Sequence, residues 1–141
     1  MIKALLIEDD DLTRNMLAMT LKGLNCATDH AKDGLEGAGT FSRALQGDTP
    51  YDIVFCDIMM PRMDGLKAIE VIRELEQKAG IPPEREVHIV MVTAVDDKNS
   101  IFTAMFEGRA FTYIVKPVKT EDLEREVTQV TRKKELAGAC P

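Results

Sequence analysis

The sequence predicts a doubly wound α/β fold, a parallel sheet with helices on both faces, and three observations carry that expectation. Short apolar runs rich in β-branched residues alternate with longer stretches whose apolar residues recur every three or four positions. The runs are nearly continuous, as strands buried on both faces should be. Four of them end on polar or charged residues, Glu8-Asp9, Asp57, Thr93 and Lys116, and the carboxyl ends of parallel strands are where ligands and chemistry collect.

The chain of 141 residues has the size of one domain and can bury about two-thirds of its unfolded surface without staples. That domain is expected over residues 1–136, with a short tail at 137–141. Cys26, Cys56 and Cys140 show no paired spacing, and the first two sit in strand-like runs where Cys acts as a small hydrophobe. A reducing, cytoplasmic setting is expected. The opening MIKALLIEDDD has only a short apolar stretch that runs into acid, so no signal peptide is expected. No stretch approaches the ~20 apolar residues of a membrane span, which argues against membrane insertion. The net charge is −6, from 24 acidic and 18 basic residues, with one short basic block at Arg132-Lys133-Lys134. Direct binding of nucleic acid is therefore not expected.

Taken in order, residues 3–7 (KALLI) form the first predicted strand. Behind the acidic run Glu8-Asp9-Asp10-Asp11, the residues Leu12, Met16, Met19, Leu17, Leu21 and Leu24 recur at helical spacing, and the acids suit the first turn of that helix. A weaker strand is predicted at 26–31 and a helix at 34–46 that contains Gly37 and Gly39. Each interior glycine costs about 1 kcal/mol relative to Ala, so this helix is expected to be the least stable. The third strand falls at 51–56, followed by a loop through 63 and a helix from 64 to about 79 with Leu66, Ile69, Ile72 and Leu75 inward. Gly80 and Pro82-Pro83 end it. A fourth strand at 87–92, a helix at 99–107, a fifth strand at 111–115 and a last helix from 120 to about 136 complete the pattern. Leu123, Val127 and Val130 should face inward, and Thr120-x-x-Leu123 resembles a capping box without its acid. Right-handed crossovers then give a three-layer sandwich.

In such a sheet Glu8, Asp9, Asp57, Thr93 and Lys116 meet at one edge. An Asp that merely ends a strand and opens a turn would also fit Asp57; the company it keeps favours chemistry. Three carboxylates within ~4 Å repel by several kcal/mol at an effective dielectric of ~20, so a cation is needed. An all-oxygen acidic pocket favours Mg2+. With Thr93 as donor and Lys116 as point charge, the pocket suits a phosphoryl group, and Asp57 is the natural nucleophile.

The ordered set LLIEDD, IVFCDIMMPRMDG, IVMVTA and YIVKP resembles the receiver domain of response regulators, of the single-domain chemotaxis kind, from residue 2 to about 136. That resemblance implies a flavodoxin-like fold with strand order 2-1-3-4-5 and a switch that catalyses its own phosphorylation and dephosphorylation. It makes Asp57 the phosphoacceptor, Glu8, Asp9 and the Met59 backbone carbonyl further Mg2+ ligands, Thr93 the switch hydroxyl, Tyr113 the switch aromatic and Lys116 the phosphoryl-sensing cation. It also implies a cis Lys116-Pro117 peptide, which only an X-Pro bond adopts cheaply. The implied partners are a sensor histidine kinase or phosphotransfer protein, and a downstream protein that docks on the face of the fourth helix, fifth strand and last helix. Receiver fragment of a longer regulator, with a DNA-binding or enzymatic output, and phosphorelay intermediate remain the alternatives.

Some features depart from the family or are read without it. Glu8 stands where an Asp is usual, and Gly108 stands one residue before the usual glycine position, Arg109. Met59 and Val95 occupy the two positions that tune phosphoryl lifetime; both are apolar, so slow autodephosphorylation is expected. Phe106 lies about 140° around the helical wheel from Ile101, so Phe106, with Phe102, is expected on an output surface unless a loop covers it. Gly34-x-x-Gly37-x-Gly39 has the wrong order for a dinucleotide loop. His30 and His88 are too separate for a metal site and are expected to be structural or surface residues.

Overall fold

The computed structural model describes residues 1–47, 49–58, 60, 62–94 and 112–139. Five parallel strands, β1 (Ile2–Ile7), β2 (Cys26–Ala31), β3 (Ile53–Asp57), β4 (His88–Thr93) and β5 (Thr112–Val115), lie in the order β2-β1-β3-β4-β5. The expected sheet order is thus present. Strand alternation divides the core in two. Leu5, Ile7, Val54, Cys56, Ile89 and Met91 face one layer, where Phe41 of α2 (Gly34–Gln46) and Ala68, Ile69 and Ile72 of α3 (Gly65–Lys78) cover them. Ala4, Leu6, Phe55, Val90 and Val92 face the other, beneath Leu17 and Leu21 of α1 (Asp11–Gly23) and Leu123, Val127 and Val130 of the C-terminal helix (Thr120–Ala139). Each fully buried Leu or Ile stabilises by ~1.5–3 kcal/mol.

The first helix corrects one expectation. Leu12, Met16 and Met19 are 70%, 60% and 75% exposed, while Arg14, Leu17 and Leu21 are buried. At ~100° per residue the first three lie within about 60° of one another and on the opposite side from the second three. The apolar residues therefore make two faces, and only one meets the sheet.

The glycines of α2 have distinct settings. A Cβ on Gly37 would sit 2.5 Å from Ile7 Cδ1, so the missing side chain lets α2 approach β1 closely. Gly39 has only Arg43 Nη1 at 3.5 Å. The C-terminal helix begins at Thr120, which places its cap at Lys119. Asp122 Oδ2 accepts from the Lys119 N–H at 3.3 Å, so the reach-back half of a capping box exists one residue earlier than the sequence suggested. The helix runs to Ala139, beyond the expected end near 136.

Charged groups also sit inside. Arg73, 4% exposed, contacts Glu76 Oε1 at 2.8 Å, Glu86 Oε2 at 3.2 Å and the Val87 carbonyl at 2.9 Å. The Val87 N–H donates to Glu76 Oε2 at 2.6 Å, which ties α3 to the approach to β4. His88 Nε2 lies 2.9 Å from the buried Glu126 Oε1, and Lys134 Nζ contacts Asp52 Oδ2 at 3.2 Å and the Met1 carbonyl at 3.1 Å. His88 is thus a structural residue, while His30 is exposed on β2.

Candidate functional site: an acidic crevice at the carboxyl edge of the sheet

Parallel register delivers the predicted residues to one place. Glu8 follows β1, with its N–H bound to the Ala31 carbonyl at 3.0 Å and its own carbonyl accepting from Arg14 Nη1 at 2.8 Å. Asp57 is the last residue of β3 and Thr93 the last of β4; they are 7% and 0% exposed. Lys116 follows β5, its N–H donating to the Thr93 carbonyl at 2.7 Å. The Lys116-Pro117 peptide is cis, as expected.

Carboxylate oxygens of Glu8, Asp9 and Asp57 all lie within 4.8 Å of one another. Lys116 Nζ stands between two of them, 3.1 Å from Glu8 Oε1 and 3.4 Å from Asp57 Oδ2. Burial, then the hydrogen bond and charge of Asp57, push the Glu8 carboxyl up to about 8 against the pull of Lys116. Burial alone would lower the Lys116 ammonium, but the Asp57 and Glu8 carboxylates outweigh it and hold the group above its ordinary 10.5.

Two features test whether this pocket fits a metal ion. Glu8 Oε2 is buried and has no hydrogen-bond partner. When all are ionised, three carboxylates face one ammonium, which leaves two negative charges. Each carboxylate pair at that spacing repels by about 3–4 kcal/mol at an effective dielectric of ~20. A hard divalent cation would satisfy the orphan oxygen and balance the charge, and an all-oxygen donor set suits Mg2+.

The remaining expected residues are placed differently. The Thr93 hydroxyl donates to the Ala94 carbonyl at 3.3 Å. Tyr113, paired in register with Met91, is 44% exposed, so its ring stands outside the core. Met59, Val95, Phe102, Phe106, Gly108 and Arg109 lie outside the described residues.

Sequence reasoning missed the packing behind Asp57. A Cβ on Gly65 would fall 2.2 Å from the Asp57 carbonyl oxygen and 2.8 Å from Ile58 Cα. The Gly65 N–H donates to the Ile58 carbonyl at 2.8 Å, and Asp64 caps α3 by accepting from the Lys67 N–H at 2.9 Å. The Asp64-Gly65 pair thus starts a helix and also lets backbone close against the reactive strand end. The pair itself was the available signal, since Asp caps and Gly permits close approach. Arg14 was missed because its charge hid a buried position on the inner face of α1.

Residues 4–128 match the family model described as the response regulator receiver domain. The probable C4-dicarboxylate response regulator DctR of Bacillus subtilis is 34% identical over 141 residues, 97% of this chain and 55% of that protein. The chain spans about half the length of such curated relatives. Among solved structures, a response regulator receiver domain protein from Clostridium thermocellum superposes with a TM-score of 0.78 at 26% identity, covering 97% of this chain and 99% of that one. The Saccharomyces cerevisiae Ssk1 receiver domain, crystallised with the histidine phosphotransfer protein Ypd1, gives 0.77 at 25% identity, with 90% and 86% coverage.

Proposed function

Because the chain belongs to the response regulator receiver domain family, we propose that it is a signalling switch that accepts a phosphoryl group on Asp57 from a phosphohistidine. The observation that carries this reading is the convergence of Glu8, Asp9, Asp57 and Lys116 at one sheet edge. An Asp57 carboxylate oxygen forms the new bond to phosphorus, the phosphorus–nitrogen bond breaks, and the electron pair leaves on the imidazole. Lys116 neutralises phosphoryl oxygens as a point charge from its place beside Asp57 Oδ2. Glu8, Asp9 and Asp57, with the Met59 carbonyl, would hold Mg2+, which supplies neutralisation of charge on the phosphoryl oxygens. Glu8 must be ionised to take part, which the ion favours.

Thr93 then turns its hydroxyl from Ala94 toward the phosphoryl group, and Tyr113 moves from its exposed position into the space behind Thr93. Moving such a switch from 1:99 to 99:1 takes about 5.5 kcal/mol, within reach of a few charge-assisted contacts. The phosphoryl donor is a sensor histidine kinase or a phosphotransfer protein. The outward Leu12, Met16 and Met19 of α1 support this, as does a groove of 280 Å³ between α1 and the segment after Lys116, lined by Thr13, Met16, Thr20 and Val118. Output passes to a protein partner through β5 and the C-terminal helix, together with the helix expected from the sequence at 99–107, which lies outside the described residues. No described helix is long and apolar enough to cross a membrane, and action in the cytoplasm fits the reading. A second reading, a receiver unit serving a longer regulator, draws on the relatives that extend about as far again.

Incubation with acetyl phosphate and Mg2+, followed by intact mass, tests the reading. The native chain should gain one phosphoryl group and Asp57→Asn none. Equal labelling of the two, or none in the native chain, refutes it.

A further inference from the structure

Arg62 has a φ of 68°, the left-handed region that costs a residue with a side chain about 1–2 kcal/mol and that glycine would adopt freely. Strain of this kind persists where the surroundings hold it, and it clusters at working sites. Here Arg62 Nη1 is held 3.1 Å from Asp33 Oδ2. Asp33 is 4% exposed and caps α2, its Oδ1 accepting from the Glu36 N–H at 2.8 Å. Beside this pair, the Gly34 N–H donates to the Met63 carbonyl at 3.3 Å, and a Cβ on Gly34 would lie 2.5 Å from that oxygen. Two neighbouring residues after β3 therefore meet two neighbouring residues at the start of α2.

The other end of the same segment closes on Asp57. Gly65 packs against the Asp57 carbonyl and bonds to the Ile58 carbonyl, so a shift at residues 62–64 is delivered to the strand end through backbone atoms in contact. We propose that Arg62 is a positioning residue: through its ion pair with Asp33 it pins residues 62–64 to α2 and, through Gly65, fixes the geometry in which the crevice takes its cation and phosphoryl group. This rests on the reading of Asp57 as acceptor. Arg62 touches no reacting atom and acts through the backbone it anchors.

Three variants of the full chain separate this role from simple stability. Arg62→Gly removes the ion pair and the backbone strain together. Asp33→Asn keeps a capping oxygen, since Asn and Asp cap equally well, and removes the charge. Arg62→Lys keeps the charge. By calorimetric titration with Mg2+, Arg62→Gly and Asp33→Asn should each bind the ion about tenfold or more weakly, with a matching rise in the Mg2+ needed for labelling by acetyl phosphate. The thermal midpoint of Arg62→Gly should not fall, Arg62→Lys should recover part of the affinity, and the double variant should be no worse than the weaker single one. Affinity in Arg62→Gly and Asp33→Asn within about twofold of native, or losses that add in the double variant, would overturn the proposal. If the native chain itself neither binds Mg2+ nor takes the phosphoryl group, the acceptor reading falls and this role with it; a responsive native chain matched by both variants defeats the Arg62 role alone.

Discussion

The crevice should make the metal-free protein less stable as pH rises. Glu8 has an ordinary value of 4.5 and is pushed up to about 8 by burial and by Asp57. Between those values the native chain keeps a proton that the unfolded chain has released, so each step up in pH favours unfolding. At about 1.4 kcal/mol per pH step, the loss across the interval is on the order of 4 kcal/mol, roughly 10 °C in thermal midpoint for a chain of this size. The assay is denaturation in metal-free buffer from about pH 5 to pH 8, with native protein and Glu8→Gln side by side. The native midpoint should fall and the variant should show a much flatter profile, because its amide carries no proton to lose. Added Mg2+ should restore the native chain most at the alkaline end, where Glu8 is ready to bind it. A flat native profile, or an equal slope in Glu8→Gln, would refute the reasoning.

Three substitutions probe the packing around the crevice and the core. Gly65→Ala drives a methyl group into backbone atoms of Asp57 and Ile58 that have no side-chain freedom to yield; a loss of about 3 kcal/mol is expected by urea denaturation, with weaker Mg2+ binding. Gly39→Ala meets only Arg43 at an ordinary 3.5 Å and should gain about 1 kcal/mol, seen as a midpoint raised by a few degrees. Arg73→Met strands the carboxylates of Glu76 and Glu86, and urea denaturation should show a loss of about 3–5 kcal/mol. Neutral outcomes for Gly65→Ala or Arg73→Met would contradict the contacts drawn from them.

The parts of this molecule legible in sequence are those set by one strong effect. Continuous apolar runs such as LLI and IVFC have to be strands covered on both faces, and parallel pairing then brings the residues at their ends together. Glu8, Asp9, Asp57 and Lys116 were found for that reason. Spacing alone could not divide the apolar residues of α1, because Leu12, Met16 and Met19 are as hydrophobic as Leu17 and Leu21 and differ only in which side meets the sheet. Nor could it reveal Arg14, Asp33, Arg73, Glu76 and Glu126 as buried, since a charge enters the core only when distant residues supply its partners. The Arg62 contact with Asp33 joins positions 29 residues apart, and no local pattern announces it.

The C-terminal helix is fastened in its second turn by Glu126 to His88 and in its later half by Lys134 to Asp52 and Met1. Sliding along its own axis would tear both moorings at once, and tilting about either one would strain the other, so the stretch from Glu126 to Lys134 keeps its place against the body of the domain.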